Sequence, residues 1–324
     1  MKQSIFLWLI ITIILSSCNS KSDDTKTGPL LDPTLQLIGD APKKKIRTVG
    51  ILLYDGFATL DAMGPHHVLK EMMGTNVFFI AKQKGTITNG GGIKIDVHRS
   101  IEDVDSLDIL VVPGGFKETY LMTKDTAVLN WIRRIDKTTT YTTSVCTGAW
   151  IVGAAGLLKD KNATTHWFGK DILKNEFGAK IHDRRWVRDG KYWSSAGVTA
   201  GMDMSVALVA NIMGEPYARA ALLDLEYDPQ SPIEGGSEFN TDKETVDMMR
   251  KMYSTGMEEV KLSLTKRPKV EAAKLVSFLD PVCKMKVNYA TGDSAVYKGK
   301  TYKFCSKMCK ESFEKDPGSF VASK

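Results

Sequence analysis

Apolar and polar positions follow two rhythms along this chain. Residues 46–54, 76–81, 107–112 and 138–145 form short β-rich runs and predict buried strands. Residues 60–73, 125–135, 148–158 and 199–213 predict helices. Strands buried on both faces and separated by helices make a parallel sheet covered on both sides, so the fold class is α/β, a sheet sandwiched by helices. Ligands bind such sheets at the carboxyl ends of the strands, where Asp55-Gly56, Gly114-Gly115 and Cys146 fall.

The rhythm fades after Tyr217. Residues 226–240, with Pro229, Pro232, Gly235 and Gly236, predict a surface excursion, and 241–264 a charged helix. On that helix the spacing of Met248, Met249, Met252 and Met257 predicts the packing face. A basic linker follows over 265–274, and a new unit starts near Leu279. At the other end, Lys2 precedes an apolar run over residues 5–15, too short to span a bilayer comfortably and suited to the core of a signal peptide. The organisation is a signal segment (1–18), a flexible polar tether (19–45), an α/β domain (46–225), a helical extension and linker (226–278) and a C-terminal module (279–324).

Composition sharpens only a few points. With 324 residues and 43% hydrophobic content the core can be sizeable. The net charge of +6 is uneven, because residues 280–324 hold nine lysines and no arginine against five acidic residues. No arginine–aromatic clustering accompanies them, so no nucleic-acid partner is expected.

The candidate chemistry centres on Thr143-Ser144-Val145-Cys146-Thr147-Gly148. A strand meets a helix there with one cysteine at the junction, which is how a nucleophile is lifted above a sheet on a sharp turn. A thiol at a helix N-terminus is favoured as thiolate near neutral pH. The alternative is a buried structural cysteine acting as a small hydrophobe.

Six ordered segments carry a resemblance: Tyr54-Asp55-Gly56-Phe57 through Leu60-Asp61 and Gly64-Pro65; Val112-Pro113-Gly114-Gly115; Ser144-Val145-Cys146-Thr147-Gly148; Ala155-Gly156-Leu157-Leu158; Ala163-Thr164-Thr165-His166-Trp167; and Ser195 through Asp203. Together they resemble the ThiJ/PfpI superfamily of class I glutamine amidotransferase-like proteins, most closely its isonitrile hydratase branch. The resemblance implies a flavodoxin-like sheet, a homodimer, a small-molecule substrate and no cofactor for this domain. It assigns Cys146 as nucleophile on the elbow, Asp61 as its acidic partner, and the amides of Gly114, Gly115 and Thr147 as donors to developing negative charge. His166 stands where the superfamily carries a histidine near the cysteine, in a catalytic or a structural role. Protease-like members carry histidine immediately after the cysteine; Thr147 here disfavours peptide hydrolysis. Glyoxalase- and deglycase-like members carry glutamate as the acid, and Asp61 follows the hydratase pattern instead. His66 and His67, next on the first helix, could line the pocket mouth.

Two further resemblances bracket this domain. Leu15-Ser16-Ser17-Cys18 is similar to a bacterial lipobox, implying export, lipidation at Cys18 and membrane attachment. Asp280-Pro281-Val282-Cys283-Lys284-Met285, the stretch from Tyr297 to Ser306, then Cys309, Phe313 and Asp316-Pro317 resemble the YHS domain, a small module found with metal-handling proteins. Cys283, Cys305 and Cys309 are its candidate metal ligands, with zinc or copper suiting three sulfurs, and a disulfide with one spare thiol as the alternative. Lys284 stands where that family usually has glycine. Two function classes follow: a cysteine-dependent hydratase or hydrolase with an appended metal module, a glyoxalase- or deglycase-like enzyme being the alternative within that class, or a non-enzymatic redox- or metal-sensing lipoprotein.

Overall fold

The computed structural model describes residues 45–266, 278–284, 286–287, 293–304 and 306–321. The signal segment with Cys18, the tether up to residue 44, residues 267–277, Met285 and Cys305 lie outside the described residues. Among the described residues no helix is long and apolar enough to cross a membrane.

Strand β1 (Thr48–Leu53) leads to α1 (Thr59–Leu69), β2 (Asn76–Ala81) and a hairpin of β3 (Gly85–Thr88) and β4 (Lys94–Val97). Next come β5 (Ile109–Val112), α2 (Lys117–Met122), α3 (Thr126–Asp136), β6 (Tyr141–Val145) and α4 (Gly148–Ala154). They are followed by β7 (Asn162–Ala163), α5 (Lys170–Phe177), β8 (Lys180–Ile181), β9 (Trp186–Asp189) and β10 (Tyr192–Ser195), then α6 (Val198–Met213), α7 (Glu215–Asp224) and α8 (Lys243–Lys266).

Six strands form the main sheet in the order β2-β1-β5-β6-β10-β9. It is the flavodoxin-like arrangement, parallel except that β9 pairs antiparallel with β10 at the edge. Central β5 and β6 are buried along their whole length, which is why they lack alternation. β6 is nonetheless polar, and its hydroxyls are satisfied internally: Thr143 Oγ1 donates to the Leu110 carbonyl at 3.0 Å and Thr142 Oγ1 to Asp136 Oδ1 at 2.7 Å.

Local signals account for the helices that cover the sheet. Asp125 caps α3 by accepting from the Ala127 and Val128 amides, a contribution of about 1 kcal/mol. The helix then buries Val128, Trp131, Ile132 and Ile135, each worth about 1.5–3 kcal/mol. On α1, His66 stacks on Phe79 of β2 with ring centroids 5.0 Å apart.

Contacts divide the described chain into two compact units, residues 46–205 with 229–321, and residue 45 with 206–228. The second comprises the later turns of α6 and all of α7, on which Ala218 and Ala221 are buried. The first includes the C-terminal module: β11 (Phe278–Leu279), β12 (Lys286–Val287), β13 (Asp293–Tyr297), β14 (Lys300–Phe304), α9 (Lys307–Lys315) and α10 (Pro317–Phe320). Its core is small, with Phe304, Cys309 and Phe313 buried and Val282, Tyr297, Tyr302 and Phe320 packed around them.

Candidate active site

β6 ends at Val145, and the next residue turns sharply. Cys146 has φ +57°, a left-handed conformation that costs a non-glycine residue about 1–2 kcal/mol. Three bonds hold it there: its N–H donates to the Ser195 carbonyl at 3.0 Å, and its carbonyl accepts from Thr165 Oγ1 at 2.8 Å and Ala149 N–H at 3.4 Å. Gly148 permits the turn, since a Cβ there would lie 2.2 Å from the Val112 carbonyl. The strain therefore presents one side chain at the carboxyl end of the sheet.

That sulfur meets Asp61, from the first turn of α1. Asp61 is fully buried; its Oδ2 accepts from the Gly114 N–H at 3.1 Å, while Oδ1 makes no hydrogen bond of ordinary geometry with a described residue. The Cys146 thiol is the other group beside the carboxyl. Burial pushes the Asp61 carboxyl up to about 7, against the opposing hydrogen bonds from Cys146 and Gly114. Burial, and then the Asp61 charge, push the Cys146 thiol well above its ordinary value. This corrects the expectation of a thiolate favoured at the helix N-terminus. The Thr147 N–H does act in that direction, but it is outweighed by removing the sulfur from water beside an acid.

The glycine amides also depart from expectation. The Gly115 N–H donates to Thr147 Oγ1 at 3.0 Å, and Thr147 Oγ1 donates back to the Gly115 carbonyl at 2.7 Å. The Gly114 N–H is engaged by Asp61. Both amides already have acceptors, so Gly114 and Gly115 hold the machinery in place rather than facing substrate charge. Thr147 does not cap α4 for the same reason, its hydroxyl being turned to Gly115. Its backbone N–H and, to a smaller extent, its side chain also bear on the sulfur and favour the thiolate.

His166 is brought close but differently. Thr165, its neighbour, bonds the Cys146 carbonyl, whereas the His166 ring packs against Trp167 and Tyr253 at 5.6 Å each. No hydrogen bond joins the ring to Cys146 or Asp61 among the described residues. Burial pushes His166 down to about 4, so it is a neutral imidazole at physiological pH. His66 and His67 sit in the last turn of α1, with the His66 ring on Phe79, and do not join the pair.

Helix α8 supplies a part that the sequence pattern did not assign. Tyr253 packs on Phe116 (5.1 Å), Trp167 (5.8 Å), Phe168 (4.9 Å) and His166, and burial with the Cys146 charge raises its phenol. Its packing face is Tyr253, Gly256, Met257 and Val260, at helical spacing; Met248 and Met252, expected to pack, are 62% and 55% exposed. Ion pairs of Lys170 and Arg250 with Glu238 fasten the preceding segment. A cleft of about 570 Å³ runs between residues 164–170, the start of α6 and residues 236–249. Cys146 is not in its wall; Thr165, which is, bonds the Cys146 carbonyl.

Fold and site together meet known relatives. The DJ-1/PfpI family pattern matches residues 47–211, half of the chain. The chain belongs to the DJ-1/PfpI family. The YHS domain matches residues 278–324. The chain is similar to an isonitrile hydratase from Pseudomonas putida, 35% identical over 227 residues, 70% of this chain and 97% of the relative. It is also similar to a deglycase from Thermococcus kodakarensis, 33% identical over 147 residues, 45% of this chain and 87% of the relative. A crystal structure of a ThiJ/PfpI family protein from Pseudomonas syringae aligns with TM-score 0.66 and 31% identity, covering 74% of this chain and 98% of that one.

In the YHS domain, ligand atoms of Asp280, Cys283 and Cys309 lie within 4.8 Å of one another. Asp280 is buried; its Oδ1 accepts from the Val282 N–H at 2.8 Å and the Cys283 N–H at 3.3 Å, folding the turn that presents Cys283. Cys309 comes from α9, where Ser306 Oγ accepts the Cys309 N–H at 3.3 Å. Cys283 and Cys309 are thus brought together as expected, Cys305 lies outside the described residues, and Asp280 joins the set. Its signal was the Asp-Pro-Val-Cys motif, read for family likeness rather than for a ligand.

Proposed function

We propose that this DJ-1/PfpI protein is a cysteine-dependent hydratase of small molecules, converting an isocyanide to the N-substituted formamide. The observation that carries the reading is the buried Asp61–Cys146 pair, in which a carboxyl poised near neutrality stands beside a thiol that needs a base. Similarity to the Pseudomonas putida isonitrile hydratase supports the substrate class.

The chemistry follows from the two groups. Ionised Asp61 takes the thiol proton as Cys146 Sγ bonds to the terminal isocyanide carbon. That carbon then takes the proton from Asp61, giving a thioimidate, R–N=CH–S. Water adds to the same carbon; Asp61 accepts a proton from it and returns one to nitrogen. The hydroxyl proton passes through Asp61 to sulfur as the C–S bond breaks, releasing R–NH–CHO and restoring the thiol. The Thr147 N–H stabilises charge on sulfur as it forms and leaves. Net consumption is one isocyanide and one water.

The test is turnover of cyclohexyl isocyanide, with formamide measured by mass spectrometry. Cys146→Ala is expected to abolish it and Asp61→Asn to lower it at least ~10³-fold. Unchanged hydration in Cys146→Ala would end the proposal. A redox-sensing role is less well supported, because a thiol pushed up by burial and a carboxylate oxidises slowly.

The YHS module is inferred to hold a metal. Two sulfurs and a carboxylate suit zinc, or copper(I) at the sulfurs, and Asp280, Cys283 and Cys309 would hold it; the ion would cross-link a module with few buried side chains. Lipidation at Cys18 would anchor the chain outside the cytoplasm; loss of labelling by a fatty-acid analogue in Cys18→Ser is the matching test.

A further inference from the structure

One phenol in the site has no task in the reaction above. Tyr54 follows β1, is 5% exposed, and donates from Oη to the Pro113 carbonyl at 2.8 Å. With that proton committed, its 2.9 Å contact to Thr119 Oγ1 has the threonine as donor. Pro113 C=O and Gly114 N–H are two ends of one peptide unit, and the N–H end donates to Asp61 Oδ2 at 3.1 Å. Thr119, Tyr54, this peptide and Asp61 therefore form a single directed chain. In a low-dielectric interior each bond of such a chain strengthens the next by roughly 10–30%. A donor on the carbonyl draws electron density from the amide and makes its N–H a better partner for a carboxylate.

We propose that Tyr54 is a positioning residue for Asp61, acting through the Pro113–Gly114 peptide to orient the carboxyl and strengthen its backbone donor. The proposal rests on Asp61 being the acidic partner of Cys146. Burial raises Tyr54 well above a phenol's ordinary value, so the donor stays protonated while Asp61 titrates. The other titratable groups facing the pair are Cys146 on the elbow, Glu118 on α2, which bears on Tyr54, and Tyr253 on α8, which bears on Cys146. None is a cation. Apart from the thiol hydrogen, the Gly114 N–H is what favours the carboxylate.

Alkylation of Cys146 by iodoacetamide in the full chain, followed across pH by mass spectrometry, reads the ionisation of Asp61 without any isocyanide turnover. The wild-type profile is expected to show a step near neutrality that Asp61→Asn removes. Tyr54→Phe should move that step upward by about half a pH unit, since the carboxylate loses support. Thr119→Val should move it less in the same direction, and Thr119→Ser should restore it. An unmoved step in folded Tyr54→Phe overturns the proposal, as does a profile insensitive to Asp61→Asn. Should Tyr54→Phe fail to fold, Thr119→Val decides, and an unmoved step there overturns it. A wild type inert toward isocyanides but with these shifts would remove the hydratase reading and leave the Tyr54 role standing.

Discussion

Two sulfur sites in this chain each depend on a non-glycine residue in the left-handed region, and they use it in opposite ways. At the elbow the strained residue is Cys146 itself, φ +57°; at the YHS knuckle it is Lys284, φ +62°, one position after Cys283. Each site also sets a buried carboxyl against sulfur, Asp61 in the first and Asp280 in the second. The elbow buries its thiol at 6% exposure and, among the described residues, leaves one carboxyl oxygen, Oδ1, without an ordinary hydrogen bond. The knuckle leaves Cys283 exposed and engages Asp280 Oδ1 with two backbone amides. Strain at the elbow serves the side chain, whereas at the knuckle it serves only the turn. In the functions proposed above, the buried, under-satisfied acid moves protons, and the carboxylate fixed by amides beside two sulfurs holds a cation.

The largest effect separating them is the cost of burying Asp61. Its carboxyl is raised from an ordinary 3.8 to about 7, so between those values the folded chain holds a proton that the unfolded chain has released. Stability contributed by this group therefore falls as pH rises through that window, reaching a deficit of about 4 kcal/mol above pH 7. Asp61→Asn is expected to raise the melting temperature at pH 8 while the gain shrinks by pH 5. A gain equal at both pH values would show that Asp61 is not the raised group.

The second contrast concerns ligands. Asp280→Asn is expected to weaken zinc binding to the full chain by on the order of 10–100-fold, with isocyanide hydration unchanged. Competition with a chromogenic chelator measures the first and formamide yield the second. Equal zinc affinity would remove Asp280 from the ligand set.

The reach of the sequence differed between the two sites for physical reasons. Cys146 and the strand ends were legible because a nucleophile elbow imposes local constraints, a β-rich run, one cysteine and a glycine that must approach Val112. Asp61 was named only through the family resemblance, because nothing in its own segment points to a sulfur that arrives from another strand. The tasks of Gly114 and Gly115 were not legible, because which acceptor takes an amide depends on Thr147 and Asp61 arriving from elsewhere. The antiparallel edge was readable from Gly190-Lys191 but passed over; Gly190, φ +61°, is the first of the two residues that turn β9 back into β10. On α8 Met257 packs as expected, but the other methionines drew attention from its neighbours in the stripe, Tyr253, Gly256 and Val260. Tyr253→Ala is expected to raise KM for a bulky isocyanide about tenfold through lost aromatic packing, with less effect for methyl isocyanide. An equal rise for both would deny Tyr253 a part in recognising the substituent.

The smallest expected effect tests the comparison most directly. If strain at the knuckle serves only the turn, Lys284 can be replaced by the residue best suited to positive φ. Its N–H donates to the Asp280 carbonyl at 2.9 Å, a backbone bond that glycine keeps. Lys284→Gly is expected to stabilise the folded module by about 1 kcal/mol, the left-handed penalty less the entropy glycine adds to the unfolded chain. Zinc affinity should hold or improve, because the turn presenting Cys283 forms more readily. At the elbow the same relief of strain by Cys146→Gly would remove the sulfur and all hydration with it. A lowered melting transition or weaker zinc binding in Lys284→Gly would mean that the lysine side chain itself contributes at the proposed metal site.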